Sequence, residues 1–131
     1  MKHPRIEIYK YWKQPDEAAA ARIHENILVG TSSEKEIVSA WYTFLEENLV
    51  FPFYAYIEKP KALERVVYSR VKVIKLAAME RCSPHGIWLV GYTTPIRAEN
   101  VFYYCLADLR SVETEIHAYQ VIQDYFYWIN Q

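Results

Sequence analysis

Glycine is scarce in this chain of 131 residues, Gly30, Gly86 and Gly91 being its full complement. Phosphate-cradling loops need several glycines close together, because only then can backbone N–H groups curl around an anion, so P-loop and dinucleotide fingerprints are excluded. Cysteine is rarer still. Cys82 and Cys105 cannot make the disulfide framework of a small secreted scaffold, and in a reducing compartment they read as free, buried thiols. No stretch approaches the roughly 18 uninterrupted apolar residues of a membrane span. The segment Met1-Lys2-His3-Pro4-Arg5-Ile6-Glu7 runs into polar residues where a secretion signal needs an apolar core, so a cytoplasmic protein is expected. An excess of one charge is also missing: 15 Lys and Arg face 16 Asp and Glu, for a net charge of −1. The cations are scattered among acids instead of forming the basic stripe that phosphate neutralisation requires, so neither nucleic acid nor a membrane is expected as a partner.

What is present is apolar and aromatic. Hydrophobic residues make up 52% of the chain and charged ones 24%, enough for one core in a single domain over residues 1–131. Aromatic residues reach 16%, with 12 tyrosines, more than a core of this size needs, which places some tyrosine rings at the surface.

Periodicity supplies the elements. Arg5 to Trp12 alternates as a short strand. Pro15 at the first helical turn, with Asp16, Glu17 and the alanines Ala18 to Ala21, predicts a helix over about 16–25. Asn26 to Gly30 fits either the end of that helix or a short strand. Ser33 with Glu36 three residues on is a capping box, followed by Ile37, Ala40, Trp41, Phe44 and Leu45 at the spacing of one buried helix face. Pro52 ends that helix, and Phe53 to Glu58 reads as a strand with Phe53, Ala55 and Ile57 on one side. A loop at Pro60 to Glu64 precedes the β-branched run Val66 to Leu76. Strands Gly86 to Tyr92 and Asn100 to Leu106 flank a hairpin loop, Thr93 to Glu99. Thr114 starts a final helix over about Glu115 to Ile129, with Ile116, Tyr119, Ile122, Phe126 and Ile129 facing inward.

No nucleophile, base and orienting group stand in a known pattern, so no enzyme is expected. Cys82-x-x-His85 with Cys105 offers soft ligands at a plausible zinc spacing, but a structural site takes four and the fourth is not evident. There is no EF-hand loop. A hard cation would have to be held by carboxylates converging from separate elements, drawn from Glu34, Glu36, Glu46, Glu47, Asp108, Glu113, Glu115 and Asp124. A different reading is a protein-interaction module, an inhibitor or immunity-like partner, with exposed Tyr54, Tyr56, Tyr92, Tyr103 and Tyr125 as contact anchors.

Several blocks are familiar in order and spacing. Arg22-Ile23 with Ile27 and Val29, then Trp41-Tyr42-x-Phe44-Leu45-Glu46-Glu47-x-Leu49-x-Phe51-Pro52-Phe53-x-Ala55, then Val71-Lys72-Val73-Ile74, Cys105-Leu106-Ala107-Asp108-Leu109 and Asp124-Tyr125-x-Tyr127-Trp128, resemble the CcbP-like family of small bacterial calcium-binding proteins. The likeness covers residues 22–131, with 1–21 as an N-terminal extension. It implies an α+β fold, a small antiparallel SH3-like or barrel-like sheet flanked by N-terminal and C-terminal helices. It also implies calcium as the bound ion, held by surface carboxylates. The acids within the matching motifs are Glu46 and Glu47 at a helix end, joined by Asp108 or Asp124. Where family members are acid-rich, between the central strand and the hairpin, residues 77–85 carry one acid, Glu80.

Overall fold

The computed structural model describes residues 3–60, 66–93 and 101–131. The chain runs β1 (Arg5–Glu7), α1 (Glu17–Asn26), α2 (Glu34–Asn48), β2 (Phe53–Pro60), β3 (Val66–Leu76), β4 (Trp88–Thr93), β5 (Val101–Cys105), β6 (Leu109–Glu113) and α3 (Ile116–Ile129). Single 3-10 turns at Met79–Arg81 and Leu106–Asp108 lead into β4 and β6. The strands form one antiparallel sheet in the order β1-β6-β2-β3-β4-β5. The sheet is open, and β1 and β5 are its edges. The fold is α+β, as the motifs implied.

Local chemistry sets the helix ends. Asp16 is the N-cap of α1 and accepts a hydrogen bond from Ala19 N at 3.0 Å; Pro15 therefore precedes the cap instead of opening the first turn. Asn26 is the last residue of α1, and Ile27, its C-cap, still closes on Ile23 O at 3.1 Å; the chain then turns, with Thr31 N on Leu28 O at 3.1 Å, and reverses at Gly30, whose φ is +73°. That left-handed angle is one glycine adopts without a Cβ clash. In α2 one half of the capping box forms, Ser33 Oγ accepting from Glu36 N at 3.2 Å, while Glu36 Oε1 accepts from the Ser33 hydroxyl at 3.1 Å in place of the Ser33 backbone N–H. Thr114 is buried and makes no cap; Glu115 holds the N-cap position of α3 without a side-chain bond.

The core lies where α2 and α3 meet the sheet. Trp41 and Leu45 of α2, Phe53 and Ala55 of β2, Val71 and Val73 of β3 and Val112 of β6 are buried. Ala118, Val121, Ile122, Tyr125 and Phe126 of α3 join them. Trp41 packs edge-on against Tyr125, ring centroids 5.1 Å apart. Ile116 does not face inward: as the first residue of α3 it is 72% exposed, and burial begins at Ala118. β6, unanticipated from sequence, is the strand that joins β1 to β2, with Val112 opposite both Ile6 and Ala55. The expected loops at 60–64 and 93–99 fall mainly outside the described residues.

The bend of β3 at its bulge between Val73 and Lys75 brings β4 close. A Cβ at Gly91 would stand 2.6 Å from the Lys72 carbonyl oxygen, and a backbone atom cannot swing aside. Gly91→Ala should therefore lower stability by about 1–3 kcal/mol, the usual cost of overpacking, read as a reduced midpoint in urea unfolding.

Candidate metal centre

α2 ends in Glu46, Glu47 and Asn48 with no basic residue in its last turn. The helix macrodipole makes this end partially negative, so cations are the residues normally favoured here. Leu49 N closes on Leu45 O at 2.8 Å, while among the described residues no backbone N–H closes on the carbonyls of Glu46, Glu47 and Asn48. Asn48 donates its Nδ2 to Phe44 O at 2.8 Å, which leaves Oδ1 to meet His117 Nε2 at 2.8 Å. In that pairing the imidazole nitrogen is the donor. Glu46 and Glu47 are exposed, and Glu47 lines a polar concavity of about 600 Å³ between α1 and α2 with Asn26, Ser39, Thr43 and Glu36. Glu36 lies eleven residues from Glu47 on the same helix, roughly 16 Å along its axis at 1.5 Å per residue, too far to share one ion.

Asp124 sits elsewhere, on α3. Its side chain is 6% exposed and its oxygens are taken: Arg22 donates Nε to Oδ2 at 3.0 Å and Nη2 to Oδ1 at 2.8 Å, and Gln120 Nε2 donates to Oδ1 at 3.0 Å. This forked pairing is the strong form of a carboxylate–guanidinium contact. Asp16, Gln123 and Tyr119 line the same concavity of about 410 Å³. Asp108, exposed in the 3-10 turn before β6, lines a third concavity of about 350 Å³ with Glu58, Lys10 and Arg110. Arg110 pairs with Glu58 at 3.1 Å, and Lys10 Nζ donates to Ala107 O at 3.2 Å. Burial and the Arg110 charge push the Lys10 pKa down, against the opposing pull of Asp108 and Glu58. Two cations thus offset two acids in that concavity.

The four acids singled out from sequence are therefore on α2, the turn before β6, and α3, and three of them line separate concavities. Among the described residues no three histidine, cysteine, aspartate or glutamate side chains come together around one point. Cys82, His85 and Cys105 do not gather either. His85 stacks on Trp128 with centroids 5.0 Å apart, and Cys82 Sγ accepts from Trp88 N at 3.5 Å.

The tyrosines divide. Tyr125 is fully buried, 0% exposed, with its hydroxyl on Pro84 O at 2.9 Å and its pKa pushed up by burial. The expectation of an exposed anchor is corrected there, because α3 is covered on most of its circumference. Tyr54 and Tyr56 are half-buried under guanidinium groups, Arg70 at 3.6 Å from the Tyr54 ring and Arg5 at 3.8 Å from the Tyr56 ring. Tyr92 is half-buried, and Tyr103 is 50% exposed with Arg81 4.3 Å over its ring. Beside Tyr56 lies a network that sequence reading did not single out, although the alternation of Tyr54, Tyr56, Tyr68 and Arg70 on paired strands hints at it. Glu113 accepts from the Tyr56 hydroxyl and from Arg70 Nη2 at 3.0 Å. Burial alone pushes the Glu113 pKa up, but those hydrogen bonds and the charges of Arg70 and Arg5 outweigh it, so the net shift is downward.

Calcium takes 6–8 oxygen ligands. With no concavity bringing more than two carboxylates into play, and Asp124 already neutralised by Arg22, the described residues do not fit an all-protein cage. They fit an open site at most, in which one or two carboxylates and backbone carbonyls are completed by water.

The fold is that of a small α+β protein whose carboxylates are spread over several concavities. Residues 21–129 match the CcbP family, described as calcium binding, and the chain belongs to that family. Two solved structures are similar. The crystal structure of Anabaena CcbP is 22% identical, covers 90% of this chain and 94% of its own, and superposes with a TM-score of 0.76. A calcium binding protein in the calcium-binding form is 23% identical, with coverage of 87% and 90% and a TM-score of 0.74. No curated protein matches the chain.

Two outcomes follow from these ion pairs. Asp124→Ala leaves Arg22 without its partner and should cost about 2–3 kcal/mol, less than a fully buried pair because the guanidinium is partly solvated, measured by chemical denaturation. Glu113, with its folded pKa below the ordinary 4.5, contributes stability that is present above 4.5 and lost as pH falls through the lower folded value. Glu113→Gln should therefore lose stability at pH 7 but converge on the native protein in strong acid, followed by thermal unfolding across pH.

Proposed function

We propose that this protein is a non-catalytic, cytoplasmic calcium binder whose ion sits at the C-terminal end of α2, held by Glu46 and Glu47. The supporting observation is the last turn of α2: two adjacent exposed acids, no base, and carbonyls that have no backbone partner among the described residues, at the negative end of the helix dipole. Such a turn is electrostatically uncomfortable by itself, and a divalent cation relieves it. The family's described property and the calcium-binding form of one similar structure point the same way. Asp108, with Glu58, is a second and poorer candidate because Lys10 and Arg110 compete for its charge. Asp124 would ligate only after Arg22 had left it.

So few carboxylates imply weak binding, with a Kd on the order of 0.1–1 mM as in open, water-rich calcium sites. Calorimetric titration with calcium should give saturable heat that Glu46→Gln combined with Glu47→Gln removes. Heat that persists in the double variant would move the site elsewhere, and a flat trace through millimolar calcium would end the reading.

A further inference from the structure

The last strand of the sheet carries a pattern that calcium binding does not use. β5 is an edge: it pairs with β4, and among the described residues no strand lies along its other side. Edge strands display a row of unpaired donors and acceptors, and proteins usually blunt them with charge, proline or a cover. β1, the opposite edge, is blunted in this way, with Arg5 and Glu7 3.9 Å apart. β5 reads Val101-Phe102-Tyr103-Tyr104-Cys105, with neither charge nor proline. Val101, Phe102 and Tyr103 are 45%, 47% and 50% exposed although both faces of the strand are represented.

The direction of its backbone groups follows from β4. Trp88 O is taken from the β3 side by Ala77 N at 2.8 Å, and in an antiparallel strand the N–H and C=O of one residue point to the same side. Trp88 and its partner Cys105 are thus a non-hydrogen-bonded pair, whereas Leu106 N reaches Ile87 O at 2.8 Å in the next register position. Hydrogen-bonded and open pairs alternate along an antiparallel ladder. Val101 and Tyr103 therefore share the disposition of Cys105, and all three turn their N–H and C=O groups away from β4.

This set is symmetric about Tyr103. From it we infer that β5 is a self-association edge, on which β5 of a second copy of this chain adds antiparallel about a two-fold axis at Tyr103. Tyr103 then exchanges both backbone bonds with its counterpart, Val101 does so with Cys105 of the second copy, and Phe102 faces Tyr104 across the closer, open pair. Aromatic cross-strand neighbours are among the most favourable on a sheet, and β5 itself sets no like charges against each other. An isologous contact of this kind closes at two copies, so it does not propagate. The occupant is a second copy because the outward backbone groups of β5 are symmetric about Tyr103 and its exposed residues are apolar or aromatic, a set that complements itself in an antiparallel pair.

Interfaces formed by one short strand are small and weak, so association is read by sedimentation equilibrium of the full chain from about 10 μM to 1 mM. The native protein should shift toward twice the 15.6 kDa of one chain. Tyr103→Lys and Tyr103→Glu each set like charges against each other at the two-fold axis, and each should remain monomeric with an unchanged far-UV spectrum. An equimolar mixture of the two should dimerise again, since opposite charges then meet. A native protein that stays monomeric at 1 mM overturns the inference, as does a dimer that survives in both variants or a mixture that fails to associate. Should either variant fold poorly, amide exchange of the native protein takes its place: protection at Val101, Tyr103 and Cys105 that rises with concentration supports the edge, and protection independent of concentration overturns it.

Discussion

The edge-to-face contact of Trp41 with Tyr125 is the joint on which this structure turns. It brings the middle of α2 onto the middle of α3 at the point where both helices meet the sheet, and both rings are fully buried. Burying side chains of this size contributes roughly 3 kcal/mol apiece, a large share of the marginal stability of a domain this small. Trp128 tilts against both rings, at 5.6 Å and 6.4 Å, and carries His85 on its outer face. The position of the acidic end of α2 relative to the start of α3, fixed locally by the Asn48–His117 contact, is inherited from this joint.

Much of this frame was legible in the residues. The capping box at Ser33, the apolar spacing from Ile37 to Leu45 and the proline after Phe51 bound α2 almost to the residue, because each is a local signal that the backbone obeys locally. β6 was not legible. Leu109 to Glu113 is only five residues long and mixes Arg110 and Ser111 into its alternation, yet pairing on both sides buries Ser111 beneath Arg5, whose Nε donates to it at 2.7 Å. A strand made by its neighbours leaves little trace in its own sequence. α3 failed in a different way. Its apolar spacing suggested one inward face, but Val121, Ile122, Asp124, Tyr125, Phe126 and Tyr127 are all buried, so residues two apart such as Tyr125 and Tyr127, which a helical wheel sends to nearly opposite sides, are both interior. Tyr125 is thereby lost as a surface anchor and Asp124 becomes a charge that needs Arg22.

The acids are instructive for the same reason. Spacing along the chain identifies carboxylates, but convergence is a property of the fold, and here three of the acids nearest the concavities and the sheet are paired with cations: Asp124 with Arg22, Glu113 with Arg70, Glu58 with Arg110. Near-zero net charge is therefore reproduced within individual concavities. The acid-poor stretch 77–85, a 3-10 turn leading to β4, supplies no further ligands. Of the four acids within the matching motifs, Glu46, Glu47 and Asp108 form no salt bridge among the described residues, which is why weak binding at an open surface fits this chain better than a cage does.

Gln123 of α3 binds Tyr9 as a strand would, accepting from its N–H at 2.9 Å and donating to its carbonyl at 2.6 Å. Arg22 with Asp124, Asp16 N with Tyr127 and Arg5 with Ser111 likewise join partners more than 100 residues apart. The N-terminal segment thus finds these partners only once β6 and α3 have been made. Until then Trp41 lacks the Tyr125 ring that packs against it, and the apolar face of α2 stays open for that interval.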